Sequence, residues 1–89
     1  MLKEVDILGL TYTIEEQEAY DKYGQVNHDR QIITIDKGIS DERKRLTLLH
    51  EILHAVLYQV GEPDMANNEA FVRRLSTGLY NTLNPYLKL

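Results

Sequence analysis

The segment His50-Glu51-Ile52-Leu53-His54 constrains this chain more than any other, because its pattern has a physical meaning only on a helix. Residues four apart on a helix stand one above the other on the same face, so both imidazoles can reach one ion at about 2.0–2.1 Å. Glu51 projects from the adjacent edge, where a carboxylate can hold a polarised water and take its proton. The segment therefore predicts a helix that carries two metal ligands and a general base.

The position of this motif on its helix favours metal binding over a chance match. At 100° per residue, the helix has one apolar stripe. The stripe consists of Leu46, Leu49, Leu53, Val56, Leu57 and Val60. His50 and His54 flank this stripe, and Glu51 and Tyr58 lie one step further out. Side chains at such a border are partly shielded from water and still accessible to substrate. A catalytic metal needs both properties, whereas an inert pair of surface histidines needs neither.

The composition limits both the ligands and the size of the core. The chain contains no cysteine, which excludes thiolate ligands and disulfides and leaves His, Asp and Glu as the protein ligands. We predict one domain over residues 1–89, and a domain of this size buries only about 60% of its unfolded surface. A bound metal would add stability to such a modest core.

Charge and hydropathy predict a soluble, cytoplasmic protein. Residues 1–6 contain acidic side chains where a signal peptide would have its apolar centre, and no apolar run approaches the roughly 18 residues of a membrane span. The net charge of −4 argues against direct binding of nucleic acid. The basic clusters at residues 43–45 and 73–74 are therefore expected to be solvated helix faces.

Strand patterns occupy the first part of the chain. Residues 3–8 and 12–14 alternate polar and apolar side chains on either side of Gly9, which predicts one strand bent or bulged at the glycine. The acidic residues 15–23 predict a connection or a short helix. Residues 24–27 and 31–36 flank a polar turn at residues 28–30 and predict a β-hairpin.

Two helices are predicted to follow. Ser40 caps the first, which has Asp41 and Glu42 in its first turn and runs to Val60 before Gly61 ends it. Residues 62–64 form a turn, and the second helix runs from residue 66 or 67 to about residue 84. Its apolar stripe consists of Phe71, Val72, Leu75, Leu79 and Leu83.

A catalytic zinc needs a third protein ligand beside an exchangeable water. The metzincin spacing is absent, because Leu57 and Val60 stand where that class has Gly and His. Asp64 could reach the site only if its loop folds back, and His28 lies in a hairpin turn. We favour Glu69, because an antiparallel second helix after a short loop would bring its first turns back towards His54.

Several segments together resemble the small ImmA/IrrE-type metallopeptidases, particularly the short versions carried by phages and prophages. These segments are YGQVN at 23–27, ITID at 33–36, SDERKR at 40–45, LLHEILHA at 48–55 and NEAFV at 68–72. The resemblance implies an α+β fold of the zincin type, a minimal gluzincin, with a small antiparallel sheet of about three strands packed on two long antiparallel helices. It also implies Zn²⁺ ligands at His50, His54 and Glu69 and a general base at Glu51.

The larger relatives cleave helix-turn-helix repressors, and this chain looks like their protease core without a sensor domain. The resemblance therefore implies a zinc-dependent peptidase that acts on a regulatory protein, with a phage or prophage repressor as a candidate substrate. Tyr58 is a weak candidate for stabilising the oxyanion, and an edge strand at residues 31–36 would pair with an extended substrate. Two other classes stay open: a catalytically inactive, zinc-stabilised module that sequesters a protein partner, and a metal-free helical interaction domain.

Overall fold

Four strands precede three helices in the computed structural model, which describes residues 1–19 and 21–86. The elements are β1 (Glu4–Ile7), β2 (Leu10–Gln17), β3 (Gly24–Asn27), β4 (Ile32–Asp36), α1 (Asp41–Gln59), α2 (Pro63–Ala66) and α3 (Glu69–Leu83), followed by a 3₁₀ turn (Asn84–Tyr86). The predicted α+β class is confirmed. Among these residues, no helix combines the length and the apolar character that a membrane crossing requires.

The four strands form one mixed sheet in the order β1-β2-β4-β3. β1 pairs with β2 and β3 with β4 in antiparallel fashion, whereas β2 and β4 run parallel. The prediction of about three antiparallel strands was therefore wrong in number and in direction. The alternation within one strand indicates which face it buries but not which neighbour it pairs with, so the parallel contact leaves no local signal.

β1 and β2 are joined by a two-residue turn at Leu8 and Gly9. The backbone φ is +52° at Leu8 and +86° at Gly9, and Ile7 pairs with Leu10. Two positive φ angles in succession give the turn a twist that matches the flanking strands. The predicted single strand with a bulge at Gly9 was wrong, because the glycine reverses the chain.

The predicted short helix within residues 15–23 was also wrong. Residues 15–17 continue β2, and the described residues between 18 and 23 form no helix; Tyr20 lies outside the described residues.

The hairpin of β3 and β4 is confirmed, although Gln31 belongs to its turn rather than to β4. Ile33 and Ile35 of β4 are fully buried. β4 lies between β2 and β3, so it is an internal strand and cannot be the substrate-pairing edge that the sequence suggested. β3 occupies the edge instead.

β3 approaches α1 closely at Gly24. A Cβ atom at this position would lie 2.7 Å from Cγ2 of Thr47 and 2.9 Å from the carbonyl oxygen of Thr34. Real Cβ atoms do not come so close to backbone, so only glycine fits between the helix and β4. This contact sets the edge strand beside the helix that carries the two histidines.

α1 is bounded as the sequence predicted. The Ser40 hydroxyl accepts a hydrogen bond from the Arg43 amide at 3.1 Å, and Gly61 follows the helix with φ +85°. Its most buried face differs from the predicted stripe, of which Val60 is 53% exposed. The buried residues of α1 are Thr47, Leu48, Glu51, His54 and Ala55. The reason is that α1 packs on the sheet with one side and on α2 and α3 with another, so its leucines are shared between two contacts.

The second helical region is divided into α2 and α3. Pro63 occupies the first turn of α2, where the missing amide hydrogen is not needed. The Asn68 side chain then accepts a hydrogen bond from the Phe71 amide at 3.0 Å and begins α3 at Glu69. The predicted single helix from residue 66 or 67 therefore starts later, after one short extra helix. The core joins both layers and contains Ile7, Tyr12, Ile14, Ile33, Ile35, Leu48 and Ala55.

Candidate metal centre

Three side chains from two helices converge at the junction of α1 and α3. Nε2 of His50 lies 3.1 Å from Nε2 of His54 and 3.1 Å from Oε2 of Glu69. Nε2 of His54 lies 2.8 Å from Oε1 of Glu69. Among the described residues, these three form the one cluster of His, Asp or Glu side chains whose ligand atoms lie close enough to share an ion.

The other ring nitrogen of each histidine is held by a hydrogen bond that fixes its proton. Nδ1 of His54 donates to the carbonyl oxygen of Ala66 at 2.5 Å. A carbonyl can only accept, so this Nδ1 carries a hydrogen, and in the neutral ring Nε2 then keeps its lone pair. The carbonyl is free to accept because it lies at the end of α2, where the helix offers it no partner.

His50 is fixed in the same way by a side chain of α3. The Ser76 hydroxyl donates its one hydrogen to the carbonyl oxygen of Arg73 at 3.1 Å, so its oxygen accepts from Nδ1 of His50 at 3.4 Å. Both imidazoles therefore direct unprotonated Nε2 atoms at each other and at the Glu69 carboxylate. Outer hydrogen bonds of this kind orient histidines that bind metals.

The donor set fits a divalent metal ion. Two lone pairs 3.1 Å apart repel each other unless a cation or a proton lies between them. Four tetrahedral ligands at about 2.0–2.1 Å from zinc are roughly 3.3–3.4 Å apart, so two of the separations here are within about 0.3 Å of that value and the third, between His54 and Glu69, is shorter by about half an ångström. Two histidines and one glutamate are also a known ligand set of catalytic zinc, with the fourth position open to water.

Glu51 is the most perturbed titratable group beside this cluster. It is 6% exposed, and burial raises the pKa of its carboxyl to about 7, with a further increase from the negative charge of Glu69 and an opposing effect of Lys22. No donor among the described residues forms a hydrogen bond with this carboxylate. Glu51 is therefore a group that can gain or lose a proton near neutral pH and that is free to bind water.

His54 and His50 also lie deeper than the sequence indicated. His54 is 7% exposed, and both side chains are in the buried face of α1 or at its edge rather than on an open rim. Burial lowers the pKa of His50, and the neighbouring His54 lowers it further, while Glu69 opposes both effects. The imidazole is therefore neutral near pH 7, which is the form that binds a metal.

Glu69 is the third-ligand candidate that the structure brings to the histidines. It is the first residue of α3, and its side chain is 62% exposed, so it closes the cluster from the solvent side. Asp64 is an exposed residue in the first turn of α2 and is not part of the cluster. His28 lines the same cleft but does not converge with the other ligand atoms among the described residues.

Tyr58 stacks on His28 and does not line the cleft of the cluster. The two rings stack with their centroids 4.0 Å apart and their planes 3° from parallel. Tyr58 is 44% exposed and borders a smaller pocket, and it is not among the described residues that line the main cleft. His28 borders both. Tyr58 therefore contacts a residue of the cleft, the His28 ring, without lining the cleft itself.

The cluster opens into a cleft of about 1150 Å³. This cleft is lined by residues of α1, α3 and β3 and by the described residues 19 and 21–23 that precede β3. Because β3 is an edge strand of the described sheet, its outer backbone groups face away from β4. The cleft thus places the cluster, a buried carboxylate and an unpaired strand edge together.

Sequence reasoning missed the partners that fix the two histidines. Ser76 is part of the buried face of α3, four residues after Val72, and a small hydroxyl on that face was the available signal. No sequence signal pointed to the Ala66 carbonyl, because whether a backbone carbonyl is free to accept depends on where a helix ends and not on the residue type.

One family model matches the chain. It is described as the IrrE N-terminal-like domain of the M78 peptidases, and it covers residues 5–77, which include α1, α2 and the first turns of α3. No curated protein and no solved structure matches the chain significantly.

Proposed function

Because the chain belongs to the IrrE N-terminal-like family of M78 peptidases, which includes the ImmA/IrrE-type proteins, we propose that it is a zinc-dependent metallopeptidase. His50, His54 and Glu69 would hold the zinc. The observation that supports this most strongly is the convergence of two imidazole Nε2 atoms and one carboxylate beside a buried glutamate in the same cleft.

The chain's own residues would carry the proton transfers of hydrolysis. Bound zinc would act as a Lewis acid on a water molecule and on the scissile carbonyl. Glu51 accepts the proton of the water as its oxygen bonds to the carbonyl carbon. The same carboxyl then gives this proton to the leaving nitrogen as the C–N bond breaks, so the products are a carboxylic acid and an amine. A pKa of about 7 suits a group that must both accept and return a proton.

The substrate in this proposal is a protein, and β3 is the surface that would align it. An extended peptide can add to a free strand edge through backbone hydrogen bonds, and β3 borders the cleft. A helix-turn-helix repressor of a phage or prophage, acting in the cytoplasm, is the first candidate because of the family membership. The family membership and the free edge of β3 together support this substrate class.

A Glu51→Gln variant tests the proposal. The zinc-loaded wild type and the variant are incubated with candidate repressors, and fragments are identified by mass spectrometry. We expect the variant to bind one equivalent of zinc, to fold, and to lose at least about 100-fold of the cleavage rate, since the base contributes roughly that much. Asp64→Asn is the matched control, because it removes an exposed carboxylate outside the cluster.

The alternative outcome has a clear meaning. A protein that binds and inhibits a repressor equally well with Glu51→Gln, and that leaves every candidate intact, is the zinc-stabilised binding module. The zinc content of protein purified without a histidine tag tests both functions. A lack of stoichiometric zinc would contradict the peptidase and the zinc-stabilised binding module alike.

A further inference from the structure

His28 is the cleft residue to which neither the metal cluster nor Glu51 gives a role. It follows β3 directly, in the turn of the β3–β4 hairpin, and its ring forms part of the cleft wall. Its side chain is the one imidazole in the described chain that is outside the cluster. An aromatic stack holds this ring against Tyr58.

The two nitrogens of the His28 ring differ in their surroundings. Nδ1 is shut off from solvent and has no hydrogen-bond partner among the described residues. Nε2 is accessible to solvent, and no described residue forms a hydrogen bond with it. In the neutral ring, a hydrogen on Nδ1 would leave the single N–H buried without an acceptor, whereas a hydrogen on Nε2 can reach solvent or a ligand. The ring therefore offers one N–H donor, at the nitrogen that solvent can reach.

The charge state of His28 supports a neutral donor close to the metal cluster. Burial lowers the pKa of His28 and the charge of His54 lowers it further, while Asp29 has the opposite effect. His28 lines the same cleft as His50, His54 and Glu69. A neutral N–H donor beside the cluster is suited to an oxygen that gains negative charge during a reaction.

We propose that His28 is a catalytic residue whose Nε2–H donates a hydrogen bond to the substrate carbonyl oxygen as that oxygen becomes negative. Tyr58 is then a positioning residue that holds the His28 ring by stacking. This inference rests on the proposed function, because it assigns the oxyanion donor of the same hydrolysis. The role of oxyanion donor is thereby assigned to the His28 ring and not to Tyr58, which the helix position suggested and which stacks on that ring.

The test uses a phosphonate dipeptide, whose tetrahedral anion resembles the attacked carbonyl. Zinc-loaded wild type and His28→Phe are titrated with it by isothermal calorimetry. Phenylalanine keeps a ring to stack on Tyr58 but removes the donor, so we expect at least about tenfold weaker binding with an unchanged zinc content. Arg30→Gln is the matched control, since it changes an exposed residue of the same hairpin turn, and should bind as the wild type does. The phosphonate should also bind more weakly to Tyr58→Ala than to Tyr58→Phe.

A second measurement does not depend on any variant being folded. In wild-type protein labelled with ¹⁵N in histidine, the Nε2–H signal of His28 should move downfield and exchange more slowly with water when the phosphonate is added. Binding of the phosphonate to His28→Phe within twofold of wild type, no binding to the wild type, or an unmoved His28 signal each overturns the inference.

The failure of this inference can be separated from the failure of the proposed function. Phosphonate binding requires no turnover, so a chain that binds it through His28 but cleaves nothing refutes only the peptidase. If a substrate is found, His28→Phe should lower kcat by about 10²–10³ with little change in KM. An active wild type with a fully active His28→Phe variant refutes only the role of His28.

Discussion

Oε1 of Glu69 lies 2.8 Å from Nε2 of His54, although the two residues belong to different helices with a third between them. This contact closes the cluster, because α1 alone supplies only the two imidazoles. It depends on α2, which ends at Ala66 and gives its free carbonyl to the same histidine. One short helix therefore both orients the His54 ring and sets where the next helix begins.

Glu69→Gln should weaken zinc binding by on the order of 100-fold, since losing even an outer partner of a metal ligand costs 10–100-fold. The variant keeps the size of the side chain and its helix position but removes the charge that the ion needs. The measurement is zinc affinity by competition with a chelator of known strength. Asp64→Asn, which removes an exposed carboxylate of α2, should keep the wild-type affinity. Equal losses in both variants would contradict the assigned ligand.

Ser76→Ala should lower zinc affinity by about tenfold while the fold is kept. The hydroxyl is the acceptor for Nδ1 of His50, and without it the ring can rotate or change tautomer. Serine to alanine leaves the packing of the buried α3 face nearly unchanged. Thr82→Ala on the exposed side of α3 is the control. An affinity that stays at the wild-type value in Ser76→Ala would show that the hydrogen bond does not orient His50.

The convergence of His50, His54 and Glu69 could be predicted from the sequence because the signals for it are local. His50 and His54 are one helical turn apart, and Asn68 marks the beginning of the helix that carries Glu69. The capping of α1 by Ser40 and its end before Gly61 have equally local causes. Each of these features depends on residues within a few positions of one another.

The remaining features depend on contacts between distant segments. The parallel pairing of β2 with β4 joins residues that their own patterns do not distinguish from an antiparallel pair. The buried face of α1 centres on Leu48 and Ala55 because the sheet covers that side, whereas a count of leucines favoured another side. The stack of His28 on Tyr58 likewise joins a hairpin turn to a helix. Local periodicity carries no information about such partners.

The Glu51 carboxyl should make the metal-free protein less stable as the pH rises. Burial raises the pKa of Glu51 in the folded state to about 7 from an ordinary value of 4.5, so the folded state keeps a proton that the unfolded state releases. The free energy of unfolding should therefore fall by about 3 kcal/mol between pH 4.5 and pH 7 through this group, and change little above that. Glu51→Gln, which cannot ionise, should lack this loss.

Urea unfolding in the presence of EDTA at pH 5, 6, 7 and 8 measures this effect. The lowered pKa of His50 acts in the opposite direction, since it costs stability as the pH falls below about 6.5. Both proteins contain His50, so the difference between wild type and Glu51→Gln isolates the carboxyl. Parallel pH profiles of the two proteins would show that Glu51 is not held in its protonated form.

Gly24→Ala should destabilise the protein by about 1–3 kcal/mol, because the added methyl meets Thr47 at 2.7 Å and the Thr34 carbonyl oxygen at 2.9 Å. The Thr34 contact is with the backbone of β4, so a change of side-chain rotamer cannot relieve it and β3 itself must shift. Thr47→Ser removes the Cγ2 atom and should restore part of the stability in the double variant. Gly78→Ala is the matched control, since a Cβ there meets nothing within 4 Å and should stabilise α3 by roughly 0.5–1 kcal/mol. Chemical denaturation of the four proteins checks these signs, and a Gly24→Ala protein as stable as the wild type would show that the strand and the helix are not held in close contact.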